Sequence, residues 1–384
     1  MEALRPSRQV HPARRLGVRP GNGRGGRPTG SFHPAATALR PRPVQTRPQK
    51  EDLPITEYDI IGDVHGAADK LEGLLQTLGY QEVDGAYRLD GHQALFVGDL
   101  IDRGHDQVRV VELVRAMTEA GSARVVMGNH EFNAIAWETP NPDQPGDFMR
   151  THRGQRGHHN RHHHARFLDQ VVEGSALHRA TIEWFRTLPL YLDLGGVRIA
   201  HACWHPASLA VLDKWTTPGI PMSDGFIVEA NTRYTEAFDA VEVVLKGPEV
   251  RLPEHLAFLD PEDAPRWAAR ITWWDDTATS LPGVAIIPSG SRTLDGDPHP
   301  GLPDEPSDHA DEFRYSDPVP VFFGHYWFRG PPRPAARHAV CVDYSAVRPE
   351  GSLVAYRWSG EDVPTTDRFV AYPVTPDDWT PGPS

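Results

Sequence analysis

The sequence predicts an α/β fold in which a parallel sheet carries a polar site along one edge. Three observations point to it. Short segments bearing acidic residues and histidine, GDVHG at 62–66, GDLIDRG at 98–104 and GNHE at 128–131, each follow an apolar run. The stretches between them, Asp69–Leu78 and Gln107–Glu119, carry apolar residues at helical spacing, for example Leu71, Leu74, Leu75 and Leu78. The order is therefore β-α-β-α-β, and right-handed crossovers bring successive carboxyl ends to one edge of a parallel sheet, where open α/β folds bind ligands.

Taken in order, a strand ending at Ile61 presents Asp63 and His65, two residues apart and able to face one ion. The strand Ala94–Val97 presents Asp99, with Asp102 and Arg103 on the turn before Gly104. The strand Arg124–Met127 presents Asn129 and His130. A single Gly-Asp after a strand is ordinary turn chemistry; three segments at equivalent positions make a site. Residues Thr139–Asp147 then read as a surface loop. In HRGQRGHHNRHHHARF, the cluster His158, His159, His162, His163 and His164 reads as a solvated helix start, with at most a weak part in steering an anionic substrate.

Further along, a helix is expected over Ala176–Thr187 and strands over Leu190–Leu194 and Val197–Ala200, the second running into His201. A helix over Phe226–Leu245 should stop at Gly247-Pro248. The region of about 205–318 reads as an inserted cap in which Trp273 and Trp274 serve either substrate contact or packing. The strand Val319–Phe323 leads into Gly324 and His325, and Ala339–Asp343 and Ser352–Trp358 complete the core.

Composition limits the setting. A chain of 384 residues has room for a substantial core. Its 39 Lys and Arg against 52 Asp and Glu give a net charge of −13, but residues 1–50 hold eleven basic residues and only Glu2, a net of +10, leaving −23 for the rest. Residues 1–52, rich in Arg, Pro and Gly, are expected to be a disordered basic tail, 53–372 the folded domain and 373–384 a flexible C-terminal tail. The acidic body disfavours nucleic acid as a partner. Cys203 and Cys341 form neither a disulfide framework nor a CxxC pair, which predicts a cytoplasmic protein. No apolar run approaches the roughly 18 residues of a spanning helix, so no membrane association is expected. No feature specifies an oligomeric state.

The strand-end donors Asp63, His65, Asp99, Asn129, His201 and His325 supply oxygen and nitrogen but no thiolate, which suits divalent ions, with Mn or Fe/Zn foremost. Two cations about 3.5–4 Å apart need a shared carboxylate. Asp99, in the middle of the set, is assigned that role: Asp63, His65 and Asp99 form one site, and Asp99, Asn129, His201 and His325 the other. A divalent ion lowers the pKa of bound water from 15.7 to about 7, roughly 12 kcal/mol of activation that no side chain replaces. His130, oriented by Asp102, is assigned to protonate the leaving oxygen. Arg103, always cationic and fork-shaped, is assigned to hold phosphate oxygens.

These motifs, together with His201 and His325, resemble the calcineurin-like metallophosphoesterases, and GNHE with DRG resembles the phosphoprotein-phosphatase-like branch. GHYW and the later VCVDYSAVRPEGSLVAYRW are similar to bacterial members of that branch. The resemblance implies a two-sheet α/β/β/α sandwich with an inserted cap, two divalent metals, and the roles assigned to Asp99, His130, Asp102 and Arg103. It implies a hydrolase acting on a phosphorylated substrate, phosphoprotein or nucleotide: foremost a serine/threonine-type protein phosphatase-like enzyme, alternatively a bis(5'-nucleosyl)-tetraphosphatase or other nucleotide phosphohydrolase. The branch's second phosphate-binding arginine has no clear counterpart, and Arg270 is the candidate. An inactive metal-holding interaction module is the reading from another class, opposed by the presence of His130, Asp102 and Arg103 together. Covalent phosphoenzyme chemistry fits poorly, because neither cysteine has Cys-x5-Arg spacing and the DGD at Asp295 lies in a Pro-rich loop.

Overall fold

The computed structural model describes residues 57–260, 263–307 and 309–373. The tails expected at 1–52 and 373–384 lie outside them, apart from Pro373. Strands β1 (Glu57–Ile61), β2 (His92–Phe96) and β3 (Ala123–Val125) are parallel neighbours, with helices α1 (Ala68–Leu78) and α2 (Gln107–Glu119) as crossovers. Three helices follow, α3 (Asn129–Glu138), α4 (Gly154–Val171) and α5 (Ala176–Phe185).

A second sheet, in the order β7-β6-β5-β4, is built from β4 (Tyr191–Asp193), β5 (Arg198–Ala200), β6 (Val321–Phe323) and β7 (Ala339–Cys341). Strands β5, β6 and β7 run parallel and β4 antiparallel. The chain then returns to the first sheet with β8 (Leu353–Trp358) and β9 (Phe369–Tyr372), giving the order β9-β8-β1-β2-β3.

The period of two along each strand divides every apolar run between two layers. Ile60, Leu95 and Val126 of the first sheet meet Leu192, Ile199, Phe322 and Val340 of the second. Their sequence neighbours Ile61, Ala94, Phe96 and Val125 face the other way and pack with Leu71, Leu74, Val110 and Val114 of α1 and α2. Burial on both faces explains why these strands read as continuous apolar runs instead of alternating ones. The architecture is the expected α/β/β/α sandwich.

The region of about 205–318 supplies helices α6 (Pro206–Leu212), α7 (Asp224–Asn231) and α8 (Glu236–Lys246) and two small three-stranded sheets. The helix expected over Phe226–Leu245 is thus two helices. Thr235 ends the continuity because its hydroxyl accepts the Phe238 N–H at 3.0 Å, capping α8 and offering the backbone an alternative to a continuous helix. Trp273 and Trp274 are 1% and 7% exposed and lie against Phe323, and the Trp273 indole donates to the Ala202 carbonyl at 2.9 Å. Theirs is a packing role.

Candidate metal centre

Five strand ends converge. Asp63 and His65 follow β1, Asp99, Asp102 and Arg103 follow β2, Asn129 and His130 open α3 after β3, His201 follows β5 and His325 follows β6. Contacts tie the two sheets together here: the Gly324 N–H donates to the His201 carbonyl at 2.8 Å, and the His325 N–H donates to Asp63 Oδ2 at 3.1 Å. The packing leaves no room for a side chain at Gly324, where a Cβ would stand 2.0 Å from Asp63 Oδ1. Positive φ values at His65, Asp99, Asp102, Arg103, His325 and Trp327 gather backbone strain at the same edge, as functional sites do when surrounding structure enforces them.

Asp99 occupies the middle. Its Oδ2 lies 3.4 Å from Nε2 of His201, 3.6 Å from Nε2 of His65 and 3.9 Å from Nε2 of His130. Its Oδ1 accepts the His130 N–H at 3.0 Å. Carbonyl groups orient two of these imidazoles, since Nδ1–H of His65 donates to Ile101 at 2.9 Å and Nδ1–H of His201 donates to Val97 at 2.8 Å. Each Nε2 is thereby turned toward the carboxylate with a lone pair to offer. Asn129 Oδ1 stands 3.1 Å from His201 Nε2.

The donor chemistry fits divalent cations. His65, Asp99 and His130, and separately Asp99, His201 and His325, place ligand atoms within 4.8 Å of one another. Asp63 Oδ1, His65 Nε2 and His325 Nε2 are buried without a hydrogen-bond partner, a costly arrangement unless something else satisfies them. Burial and the charges of Asp343 and Asp99 raise the Asp63 carboxyl well above the usual carboxylate range. Burial pushes the His65 imidazole down to about 3, so it stays neutral and available as a ligand. Neutral His65 and His325 imidazoles beside the Asp63 and Asp99 carboxyl groups make a donor set that suits a divalent cation.

His130 turns its other nitrogen to Asp102, Nδ1 to Oδ2 at 2.6 Å. Arg103 is exposed, with its guanidinium 4.0 Å from the Trp327 ring centroid. The Trp327 backbone is held by Asp343, whose Oδ2 accepts its N–H at 2.7 Å. Arg270 lies 5.9 Å from the Tyr326 ring centroid, and its charge acts on His325. All ten residues singled out in the sequence therefore stand at or beside one edge of the sandwich, Arg270 at its margin.

Two participants were not identified from the sequence. Glu131, fully buried, accepts N–H groups from Gly128, Asp99, Leu100 and Ile101 at 3.0, 2.9, 2.8 and 3.3 Å, binding the second and third motifs together. His164 corrects the reading of the histidine cluster: it is 2% exposed, and its Nδ1 lies 2.8 Å from Asp102 Oδ1. The signal was present in the spacing, because His164 shares the buried stripe of Gly157, Asn160, Phe167, Leu168 and Val171 on α4, whereas His158, His159, His162 and His163 are exposed.

The sequence profile of the calcineurin-like phosphoesterases matches residues 58–325. The chain belongs to that family. It is 35% identical over 149 residues to an asymmetrical bis(5'-nucleosyl)-tetraphosphatase of Oceanobacillus iheyensis, a match covering 38% of this chain and 56% of that one. The chain thus spans little more than half the length of that relative. A symmetrical bis(5'-nucleosyl)-tetraphosphatase of Ralstonia nicotianae is 26% identical over 278 residues, covering 70% of this chain and 79% of its own. Among solved structures, a protein serine/threonine phosphatase of Saccharomyces cerevisiae is 13% identical, with a TM-score of 0.44 and coverage of 86% of this chain and 83% of that one.

Proposed function

We propose that this calcineurin-like phosphoesterase is a dinuclear-metal hydrolase of nucleoside polyphosphates. The observation that carries the hydrolase reading is the central Asp99 carboxylate among the imidazoles of His65, His130 and His201, with Asp102 behind His130. The tetraphosphatase names of relatives sharing 35% and 26% identity support the nucleotide reading over the phosphoprotein one expected first.

Asp63, His65, Asp99, Asn129, His201 and His325 would hold two divalent ions, with manganese or an iron–zinc pair suited to these donors. Such ions, when bound, supply an activated water and neutralise phosphate charge. Arg103 binds non-bridging phosphate oxygens, its fork braced by the Trp327 ring. Arg270 offers a second guanidinium beside His325. His130 donates Nδ1–H to Asp102, and its Nε2 proton goes to the departing oxygen. Although burial opposes it, the charges of Asp99 and Asp102 raise the His130 pKa, which favours the imidazolium needed for that transfer. Both cysteines are free and buried, in keeping with a cytoplasmic setting as part of this reading. No helix among the described residues is long and apolar enough to cross a membrane.

The test is a panel of phosphopeptides, mononucleotides and dinucleoside polyphosphates, assayed with purified protein and added manganese, iron or zinc. The highest kcat/KM is expected on the polyphosphates. A preference for phosphopeptides would transfer the substrate to the protein-phosphatase reading. Absence of turnover with every metal would leave an inactive metal-binding module.

A further inference from the structure

A cavity of about 360 Å³ opens between α3, the loop before α4, α4 itself and the α7–α8 turn. It neighbours the metal centre through α3: the lining residue Asn133 follows His130 by three positions and Asn129 by four, which places all three on one helix face. Arg150, also in the lining, acts electrostatically on Asp102.

The lining is cationic. Arg150, Arg156, Arg233 and Lys246 face a single acidic group, Glu242, which pairs with Lys246 one turn away. Among the described residues, no carboxylate makes an ion pair with Arg150, Arg156 or Arg233. Arg150 is the most telling of the three. Its Nε is buried without a hydrogen-bond partner, and burial lowers its pKa from the usual guanidinium value. A buried guanidinium nitrogen without a hydrogen-bond partner is costly, and an anion bound in the cavity would offset that cost. Its planar fork matches phosphate oxygens in particular.

We propose that this cavity holds a second, non-scissile phosphate of the substrate, so that the enzyme selects ligands carrying a chain of phosphoryl groups. The proposal rests on the phosphoesterase reading above and assigns Arg150, Arg156 and Arg233 to substrate selection, separate from the groups at the reacting phosphorus.

Arg156 and Arg233 are exposed, so replacing both with alanine leaves the core intact. Two measurements on the full chain with saturating manganese decide the matter. In equilibrium dialysis with radiolabelled inorganic tripolyphosphate and orthophosphate, the wild type should prefer tripolyphosphate, and R156A/R233A should reduce that preference on the order of tenfold. In kinetics, the ratio of kcat/KM for diadenosine tetraphosphate to that for p-nitrophenyl phosphate should fall by about the same factor, mostly through KM. A third variant, Arg150→Met, should raise Tm or leave it unchanged while weakening tripolyphosphate binding, because the buried Nε that it removes has no hydrogen-bond partner. A marked fall in Tm with tripolyphosphate binding retained would show a structural arginine and overturn the assignment. Active enzyme whose R156A/R233A form keeps the wild-type ratios would overturn the cavity assignment alone. If no ester is hydrolysed the phosphoesterase reading fails, and dialysis still decides whether the cavity takes polyphosphate.

Discussion

His130 and His164 hold opposite oxygens of one buried carboxylate: His130 Nδ1 lies 2.6 Å from Asp102 Oδ2, and His164 Nδ1 lies 2.8 Å from Asp102 Oδ1. Asp102 therefore cannot rotate without breaking a charge-assisted contact on one side or the other. The orientation of the His130 ring is set from α4, through a residue outside the proposed set of metal ligands.

The first prediction follows from that clamp. His164→Ala should lower kcat by about tenfold or more, as removal of a supporting hydrogen bond behind a catalytic group does, with KM changed little. His164→Gln, which retains a donor, should recover part of the loss. Steady-state kinetics with folding checked by circular dichroism is the measurement, and an unchanged kcat in the alanine variant would show that Asp102 is held by other means.

Asp102 and His130 also set a pH window for stability. Burial opposes ionisation of Asp102, but the neighbouring His164 and His130 hold its carboxyl well below its ordinary 3.8. Its stabilising contribution is present above that value and is lost as pH falls through the depressed folded value. For His130 burial opposes protonation, but Asp99 and Asp102 raise it above 6.5, so its contribution is complete below 6.5 and lost as pH rises through the folded value. In chelator-treated protein, the destabilisation caused by Asp102→Asn should be largest between about pH 4 and 6.5 and shrink on either side. Urea denaturation of both proteins across pH checks this; a difference that keeps growing above pH 7 would contradict it.

Asp99→Asn keeps the shape of the proposed shared ligand and removes its charge. Turnover should fall at least about a hundredfold and bound metal should drop, while the fold persists. Elemental analysis beside kinetics is decisive, and near-normal turnover would remove Asp99 from the shared position.

For His130→Asn the expected pattern depends on the leaving group. Metal content should be retained, and esters with poor leaving groups should slow much more than activated aryl phosphates, which need little proton donation. Equal slowing of both classes would be incompatible with a general-acid role.

Gly324→Ala tests the packing between sheets. The new Cβ would stand 2.0 Å from Asp63 Oδ1, so Asp63 or the β6 turn must move. A loss of about 2 kcal/mol or more in stability is expected, together with weaker metal retention. Thermal unfolding and metal content report the two effects separately.

Much of this protein was legible before folding was considered, because the relevant signals are local. The strand–helix alternation from Tyr58 to Glu131 is carried by the periodicity of Leu71, Leu74, Leu75 and Leu78 and by turn residues after each strand. Parallel connection then requires Asp63, Asp99 and Asn129 to share an edge. Other features depended on which faces meet. His164 lies 62 positions from Asp102; the spacing along α4 sets it on the inward stripe, but only the docking of that helix brings it to Asp102. The Glu131 carboxylate gathers N–H groups up to 32 positions away, and the Trp327 ring reaches Arg103 from the opposite sheet's strand end. The buried, unpartnered Nε of Arg150 belongs to the same class. Sequence period determines what a segment becomes and which way its residues alternate; the partner each side chain meets across the chain is decided by packing, which has no local signature.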